Sequence, residues 1–214
     1  MIELGLKFTL AYLVGGIMGA LLIGKLRGGI DIRRMGSGNA GGTNALRTQG
    51  KAFAAGVMLV DVGKGILAAA VIPRLDFPPF SIDALVDRDL VLHAVALGAI
   101  LGHIFPIWYQ FRGGKGGATA AGLVLYLAPG LGLALIGLWI AIVFFTGIVG
   151  LATISATLGA AIWLGLFGLP DRAALFVFAC FVAALTIYTH RSNIARMLQG
   201  KESRFSRFFG LGSR

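Results

Sequence analysis

A long apolar segment of the chain runs from Ala118 to Pro170 and contains no Asp, Glu, Lys or Arg. It is too long for one membrane span, because a spanning helix needs about 20 apolar residues, with a range of roughly 17–25. Together with Ala173–Thr189, the predicted last span, it favours four shortened crossings over two. The predicted breaks between them fall at Pro129–Gly130, Thr146–Gly150 and Gly168–Pro170.

Three further apolar runs predict membrane spans, at Leu4–Gly24, Ala52–Pro73 and Leu90–Tyr109. No A-x-A-like cleavage site follows the first run, so we expect a retained span and not a cleavable signal peptide. The chain is 57% hydrophobic and 13% charged, whereas soluble domains are about 45–50% apolar and about 25% charged. Backbone polar groups in lipid must be satisfied internally, so the spans must be helical.

The predicted fold is therefore all-α: a polytopic integral membrane protein, with a bundle of about seven transmembrane helices, some of them shortened. We expect residues 1–214 to form a single domain with a basic cytoplasmic tail at 191–214. Of the 19 lysines and arginines, six lie in Lys25–Lys51, two in Gln110–Gly117 and six in His190–Arg214. The positive-inside rule places these segments in the cytoplasm and the Asp-rich segment Arg74–Asp89 outside. The N-terminus is thus predicted outside and the C-terminus inside.

Most of the basic residues that give the net charge of +10 lie in the same predicted cytoplasmic segments. A nucleic-acid-binding protein gathers its basic groups on one water-exposed face, whereas here they lie between apolar runs. Nucleic acid is therefore not an expected partner.

The segment Met35–Arg47 combines four glycines with hydroxyl, amide and guanidinium side chains. Glycine lets backbone N–H groups converge on an anion, and the arginine fork matches phosphate oxygens. The alternative is a flexible polar turn, but interleaved Asn and Arg residues favour anion binding. The candidate residues are Ser37, Gly38, Asn39, Gly41, Thr43, Asn44 and Arg47.

A second glycine-rich segment, Arg112–Thr119, places Lys115 between paired glycines before a predicted helix. An ammonium group and a helix N-terminus can then bind one anion, with Gly114, Lys115 and Gly116 as candidates. A Walker A loop needs a glycine at position 109 and a Ser or Thr at 116. Tyr109 and Gly116 occupy these positions, which disfavours a nucleotide triphosphatase. The alternative is a loose turn that only marks the cytoplasmic side.

The third polar segment, Tyr188–Asn193, lies at the inner end of the last span. His190 and Asn193 are three residues apart and share one face if the helix continues. His190 can be a general base, a hydrogen-bond donor to a substrate or an ordinary interfacial residue.

Two charged residues, Asp61 and Lys64, lie inside the second predicted span, where charges are costly and usually paired or functional. Their spacing allows a mutual ion pair, and a role in substrate binding stays open beside it. We interpret His93 and His103 as satisfied interior groups. With three histidines and one cysteine, no residues have metal-ligand spacing, so no metal site is expected.

Together the three polar segments resemble the PlsY family, the bacterial acyl-phosphate:glycerol-3-phosphate acyltransferases. The resemblance spans nearly the whole chain. Three residues depart from the family pattern: Gly42 replaces an alanine, Ser192 a common acidic residue and Gly150 a common serine. The matching residues are Gly36–Ser37–Gly38–Asn39 with Gly41, Thr43, Asn44 and Arg47; Gly113–Gly114–Lys115–Gly116 with Ala118 and Thr119; His190–Arg191 with Asn193; and Asp61, Lys64–Gly65 and Gly200–Lys201–Glu202.

The resemblance implies transfer of a fatty acyl group from acyl-phosphate to the sn-1 hydroxyl of glycerol 3-phosphate. The products are lysophosphatidic acid and inorganic phosphate, in the first step of phospholipid biosynthesis. It implies catalysis by Ser37, His190 and Asn193, and no cofactor, because acyl-phosphate is already activated. The expected location is the bacterial cytoplasmic (inner) membrane, with lipid around the protein and the active site facing the cytoplasm. A contact with the enzyme that supplies acyl-phosphate is a further expectation. The implied substrate-binding residues are Gly38, Asn39, Gly41, Thr43, Asn44, Arg47, Asp61, Lys64, Gly114, Lys115 and Gly116.

Three other classes of protein explain the sequence less well. A transporter of organic anions predicts paired broken spans in two related halves, but the sequence has no internal repeat. An acyl-CoA-dependent acyltransferase has an Asp five residues after a His, and here Gly98, Trp108 and Ala195 occupy those positions. A structural protein would not need three segments suited to phosphate.

Overall fold

A computed structural model of the chain describes residues 1–78 and 86–204. Part of the predicted outer segment and the Phe-rich end of the predicted tail lie outside these residues. The described residues form α-helices and short 3₁₀ turns and contain no strand, which confirms the all-α prediction. The helices are α1 (Ile2–Gly15), α2 (Gly19–Leu26), α3 (Gly42–Gln49), α4 (Lys51–Val71), α5 (Arg88–Ile104), α6 (Gly117–Leu127), α7 (Pro129–Thr146), α8 (Val149–Phe167), α9 (Ala173–Thr189) and α10 (Arg191–Leu198).

Four helical segments in the described part of the chain are long and apolar enough to cross a membrane. They are Lys51–Arg74, Arg88–Tyr109, α7 and α8. Two bent pairs, α1–α2 at 45° and α9–α10 at 60°, raise the number to six if each pair is one span. Helix α6 is apolar but has only 11 residues, and it corresponds to the shortest predicted crossing. The orientation of the termini stays a prediction.

The predicted breaks after residue 118 are confirmed. Proline begins α7 directly after Ala128, α7 and α8 are separated at Gly147–Ile148, and α8 ends at Phe167 before the Gly168–Pro170 segment. Proline removes a backbone donor and cannot continue a helix, while Gly147 has a φ of 71°, which glycine adopts without steric cost.

The first predicted span needs correction. Leu4–Gly24 is not continuous: α1 ends at Gly15, and α2 begins at Gly19 after a bend. The third predicted span, Leu90–Tyr109, is confirmed as part of the candidate span Arg88–Tyr109; within it the α-helix ends at Ile104, and a 3₁₀ turn at Ile107–Tyr109 follows Pro106.

The chain divides into two compact units, the first comprising Met1–Ala128. In this unit α1 packs on α5, and α4 packs on α6. Glycines allow both close approaches: a Cβ at Gly102 would overlap the carbonyl oxygen of Tyr12, and one at Gly122 would overlap that of Val62. Small residues at helix interfaces are the usual means of packing in lipid, where helices gain little from burying apolar surface.

The second unit begins at Pro129. Helix α8 packs against α7 and α9 within it. Large apolar side chains remain exposed, such as Phe144 at 78% and Phe145 at 82%, as expected of helix faces in contact with lipid. The prediction that residues 1–214 form one acyltransferase domain stays a prediction.

Candidate active site

The first glycine-rich segment is a turn followed by a short helix. Gly36 and Gly38 have φ values of 57° and 72°, in the left-handed region that glycine tolerates. Gly41 precedes α3 as its N-cap. The sequence indicated a glycine-rich segment without a helix, whereas Thr43, Asn44 and Arg47 lie on α3.

Asn44 holds this turn in place. Its side chain is buried, and its Nδ2 donates to the carbonyl oxygens of Ile32 at 2.9 Å and Met35 at 3.0 Å. Its Oδ1 accepts from the backbone N–H of Ser37 at 3.0 Å. Both amide donors are therefore engaged within the chain. Asn44 shapes the segment, while Ser37 and Gly38 are exposed and Asn39 is half-buried.

A half-buried ion pair precedes the turn. Arg33 donates to the Asp31 carboxylate through Nε at 3.0 Å and Nη2 at 2.8 Å. These side-chain hydrogen bonds are the main cause of a lowered pKa of the Asp31 carboxyl, relative to its ordinary value of 3.8. The Arg33 guanidinium also lies over the ring of Tyr109, 5.6 Å from its centroid, and such a contact is attractive.

Tyr109 brings the first two polar segments to the same end of the first unit. It packs against an apolar cluster that includes Ile32, Ala40 and Ala45. Tyr109 itself leads into Arg112–Thr119, the second glycine-rich segment. The two segments that the sequence singled out for phosphate are thus neighbours in space.

The second glycine-rich segment folds back onto the end of α5. The backbone N–H groups of Gly113 and Gly114 donate to the carbonyl oxygens of Ile104 at 3.2 Å and His103 at 3.1 Å. Gly116 has a φ of 84° and is the N-cap of α6, which confirms the predicted helix start after Lys115. Lys115 is half-buried in this turn.

Asp61 and Lys64 form the ion pair that their spacing allows, at 2.9 Å. They lie in a buried polar network, which we define as Asp61, Lys64, His103 and Thr119. The Nδ1 atom of His103 lies 2.8 Å from Lys64 Nζ and 3.2 Å from Thr119 Oγ1. These contacts favour an internal role of the pair over direct substrate contact. His103 is buried as predicted, whereas His93 is only half-buried.

The third polar segment lies in the second unit, at the bend between α9 and α10. His190 is buried and its Nδ1 donates to the carbonyl oxygen of Thr186 at 2.9 Å. Asn193 is buried and donates through Nδ2 to Glu202 at 2.7 Å, and Arg196 Nε donates to the same carboxylate at 2.6 Å. Helix α9 ends at Thr189, where the last span was predicted to end, and a bend of 60° separates it from α10.

The glycerol-3-phosphate acyltransferase family model matches residues 6–200. The chain belongs to this family. The chain is therefore an acyltransferase that acts on glycerol 3-phosphate, and it is a multi-pass membrane protein. Two similar glycerol-3-phosphate acyltransferases are those of Aquifex aeolicus and Shewanella woodyi. The first is 40% identical over 91% of this chain and 95% of its own, and the second is 42% identical over 92% and 91%.

Two solved structures of the acyltransferase PlsY (YgiH), an integral membrane protein, have the same fold at 36% identity. The glycerol 3-phosphate form has a TM-score of 0.84 and covers 98% of this chain and 99% of its own. The lysophosphatidic acid form has a TM-score of 0.79 and covers 94% of each. The resemblance to the PlsY family is thereby confirmed.

The sequence did not single out His103 as part of the acyltransferase site. It was interpreted as an interior group, and its contact with the second glycine-rich segment depends on the fold. The one available signal was its position ten residues before Gly113, on the span that leads into that segment. The residues 1–78 and 86–204 contain no group of three or more His, Cys, Asp or Glu side chains arranged to hold a metal ion.

Proposed function

We propose that this acyltransferase uses acyl-phosphate as its donor. The observation that carries the proposal is the adjacency, at one end of the first unit, of two glycine-rich segments with basic residues. Acyl-phosphate and glycerol 3-phosphate each carry a phosphate, so the reaction needs two anion sites. Binding of glycerol 3-phosphate and lysophosphatidic acid is recorded for the PlsY structures, and we extend both ligands to this chain.

In the proposed mechanism the Ser37–Asn44 segment holds the phosphoryl group of the donor, and Arg47 and Lys115 bind glycerol 3-phosphate. The sn-1 hydroxyl oxygen attacks the acyl carbonyl carbon, and the bond from that carbon to the phosphate oxygen breaks. The hydroxyl proton goes to the departing phosphate. Holding two reactants in place supplies much of the acceleration.

We assign Ser37, His190 and Asn193 to stabilising the negative charge that develops on the acyl carbonyl oxygen. Ser37 is exposed at the turn, which suits contact with a substrate. The Nδ1–H of His190 donates to the Thr186 carbonyl oxygen, so in the neutral ring Nε2 only accepts. Nε2 is therefore a second candidate for the hydroxyl proton, and once protonated it can donate to the negative oxygen. A covalent acyl-Ser37 is disfavoured because Ser37 has no evident triad.

The deciding experiment supplies purified protein with glycerol 3-phosphate and either acyl-phosphate or acyl-CoA. We expect lysophosphatidic acid and inorganic phosphate in equal amounts from acyl-phosphate, and no product from acyl-CoA. Ser37→Ala and His190→Ala should lower kcat/KM by about 100-fold or more. The matched controls Ser192→Ala and His93→Ala should stay within about twofold. Equal use of acyl-CoA would overturn the donor, and near-normal activity of both site variants would overturn the assignment.

We also propose that the protein lies in the bacterial inner membrane with its active site facing the cytoplasm, where it contacts the enzyme that supplies acyl-phosphate. The distribution of Lys and Arg supports this orientation. With Cys180→Ser as background, a membrane-impermeant thiol reagent should label Asp76→Cys in intact spheroplasts. It should label Arg34→Cys only after lysis. The reverse pattern would overturn the orientation.

A further inference from the structure

The bend between α1 and α2 leaves backbone groups that no helix satisfies. Ile17 lies between the two helices, and Gly19 begins the second. Lys64 Nζ donates to the carbonyl oxygen of Ile17 at 2.7 Å, and the N–H of Gly19 donates to Asp61 Oδ1 at 3.1 Å. One ion pair of α4 therefore satisfies both sides of the bend, as an apolar surrounding requires.

The ammonium group of Lys64 has three protons, and three acceptors surround it. They are the Ile17 carbonyl oxygen at 2.7 Å, His103 Nδ1 at 2.8 Å and Asp61 Oδ1 at 2.9 Å. Because the charged lysine only donates, Nδ1 of His103 must accept. The ring proton of His103 is then on Nε2. The network has one arrangement of donors and acceptors at this lysine.

The opposite side of the His103 ring faces the second glycine-rich segment. A Cβ at Gly114 would overlap the Nε2 atom of His103, and the N–H of Gly114 donates to the His103 carbonyl oxygen at 3.1 Å. Thr119 Oγ1, in the first turn of α6, lies 3.2 Å from Nδ1. His103 thus contacts the chain on both sides of Lys115.

We propose that His103, held by the Asp61–Lys64 pair, is a positioning residue for glycerol 3-phosphate. It fixes the Gly113–Gly116 turn, two of whose backbone N–H groups already bind the end of α5, so that Lys115 meets the substrate phosphate in one geometry. This inference rests on the proposed function of that turn. His103 is 2% exposed and acts through the glycine-rich segment, not by touching substrate.

The isosteric variants His103→Asn and His103→Gln test the acceptor. Asparagine places an oxygen near the position of Nδ1 and can accept from Lys64, whereas glutamine places its polar group near Nε2. We expect His103→Asn to keep the KM for glycerol 3-phosphate within about threefold of the unmodified protein. His103→Gln and His103→Leu should raise this KM by about 10- to 100-fold. The KM for acyl-phosphate should stay within about threefold in all three.

A matched control exists in the same unit. Lys7 pairs with Glu3 at 2.6 Å, is buried and donates to the Pro73 carbonyl oxygen at 2.8 Å. Lys7→Met removes a comparable buried charge away from the glycine-rich segments. It should lower the thermal unfolding midpoint and leave both KM values unchanged, which separates positioning from general stability.

The outcomes distinguish the two proposals. An unmodified protein that is inactive with acyl-phosphate and active with acyl-CoA contradicts the proposed donor. An active protein in which the histidine variants and Lys7→Met change the KM for glycerol 3-phosphate equally overturns the positioning role. If His103→Leu does not fold, the Asn and Gln variants decide, and equal KM values in these two also overturn it.

Discussion

The two bent helix pairs of this protein are stabilised in different ways. At the α1–α2 bend the partners come from α4, where Lys64 and Asp61 bind the groups flanking the break. At the α9–α10 bend the partners are local: His190 donates to Thr186 four residues before it. Asn193 and Arg196 bind Glu202 just beyond α10.

This difference follows from access to water. Lys64 and Asp61 have side-chain exposures of 4% and 1%; at the second bend Glu202 is also buried, at 3%, but its partner Arg196 is 39% exposed. A bend inside the apolar region needs charged partners from another helix, because no water can replace them. A bend near a polar segment can rely on neighbouring side chains. The buried Asp61–Lys64 pair therefore lies where the backbone of α1–α2 is broken.

Lys64→Met tests the α1–α2 bend, whose charged partners are both buried. The Oδ2 atom of Asp61 has no hydrogen-bond partner among the described residues, so the variant leaves a buried carboxylate without its cation. We expect the free energy of unfolding to fall by about 3–5 kcal/mol, as for other broken buried pairs. Thermal unfolding in detergent measures the loss.

The double variant Asp61→Leu with Lys64→Met removes both charges. It should recover part of the lost stability, because replacing both members of a buried pair is often tolerated. A double variant less stable than Lys64→Met would contradict the proposed charge imbalance.

Glu202→Gln tests the second bend. Gln keeps an acceptor for Asn193 but loses the charged contact with Arg196, whose partial exposure reduces the effect. We expect a fall of about 1–2 kcal/mol in the free energy of unfolding, smaller than that of Lys64→Met. Arg204→Gln changes a charge two residues away, at an exposed position, and should have no measurable effect. A Glu202→Gln loss equal to that of Lys64→Met would erase the distinction between the bends.

Gly150→Ala tests the packing of Asn193 at the second bend. A Cβ at Gly150 would lie 3.2 Å from both Cβ and Nδ2 of Asn193, so Asn193 must move by a few tenths of an ångström. We expect a loss below about 1 kcal/mol with a measurable decrease in kcat. Gly137→Ala, where the new Cβ meets no atom within 4 Å, is the control. Equal kcat values in the two variants would contradict a functional position of Asn193.

Asp31→Asn gives the smallest expected effect, because both members of the Asp31–Arg33 pair are more than a quarter exposed. The loss should be below about 1 kcal/mol. The pKa of Asp31 is lower in the folded chain than its ordinary 3.8. The contribution is therefore present above about pH 3.8 and disappears as the pH falls through the folded-state pKa. Unfolding of both proteins between pH 3 and 7 measures it, and a difference that grows on acidification would contradict the sign.

The sequence predicted the helical class and the breaks after residue 118, because proline and glycine act locally on the backbone. It did not predict the α1–α2 bend. No proline marks that bend, and the partners that stabilise it, Asp61 and Lys64, are more than 40 residues away. The third predicted span ends beyond the end of α5 at Ile104 for a simpler reason: the apolar run continues past Pro106.

For the site, composition predicted which segments carry polar groups but not what each group does. Ser37 is exposed as expected of a substrate contact, whereas Asn44, of similar polarity, is consumed by the turn itself. Asp61 and Lys64 bind backbone groups at the α1–α2 bend, and we propose that they affect the site through His103. Such roles depend on distances between helices, which spacing along the chain does not contain.

The shortness of α6 has a consequence for depth. Tyr126, near the end of α6, accepts from Arg74 Nη1 at 2.9 Å, so this end lies level with the polar residues that follow α4. Eleven residues rise only about 16 Å, roughly half of a hydrocarbon slab about 30 Å thick. The Gly113–Gly116 turn, which precedes α6, is thus separated from the level of Arg74 by only about 16 Å. The phosphate that we propose it binds would interact with Lys115 through a medium less polarisable than water.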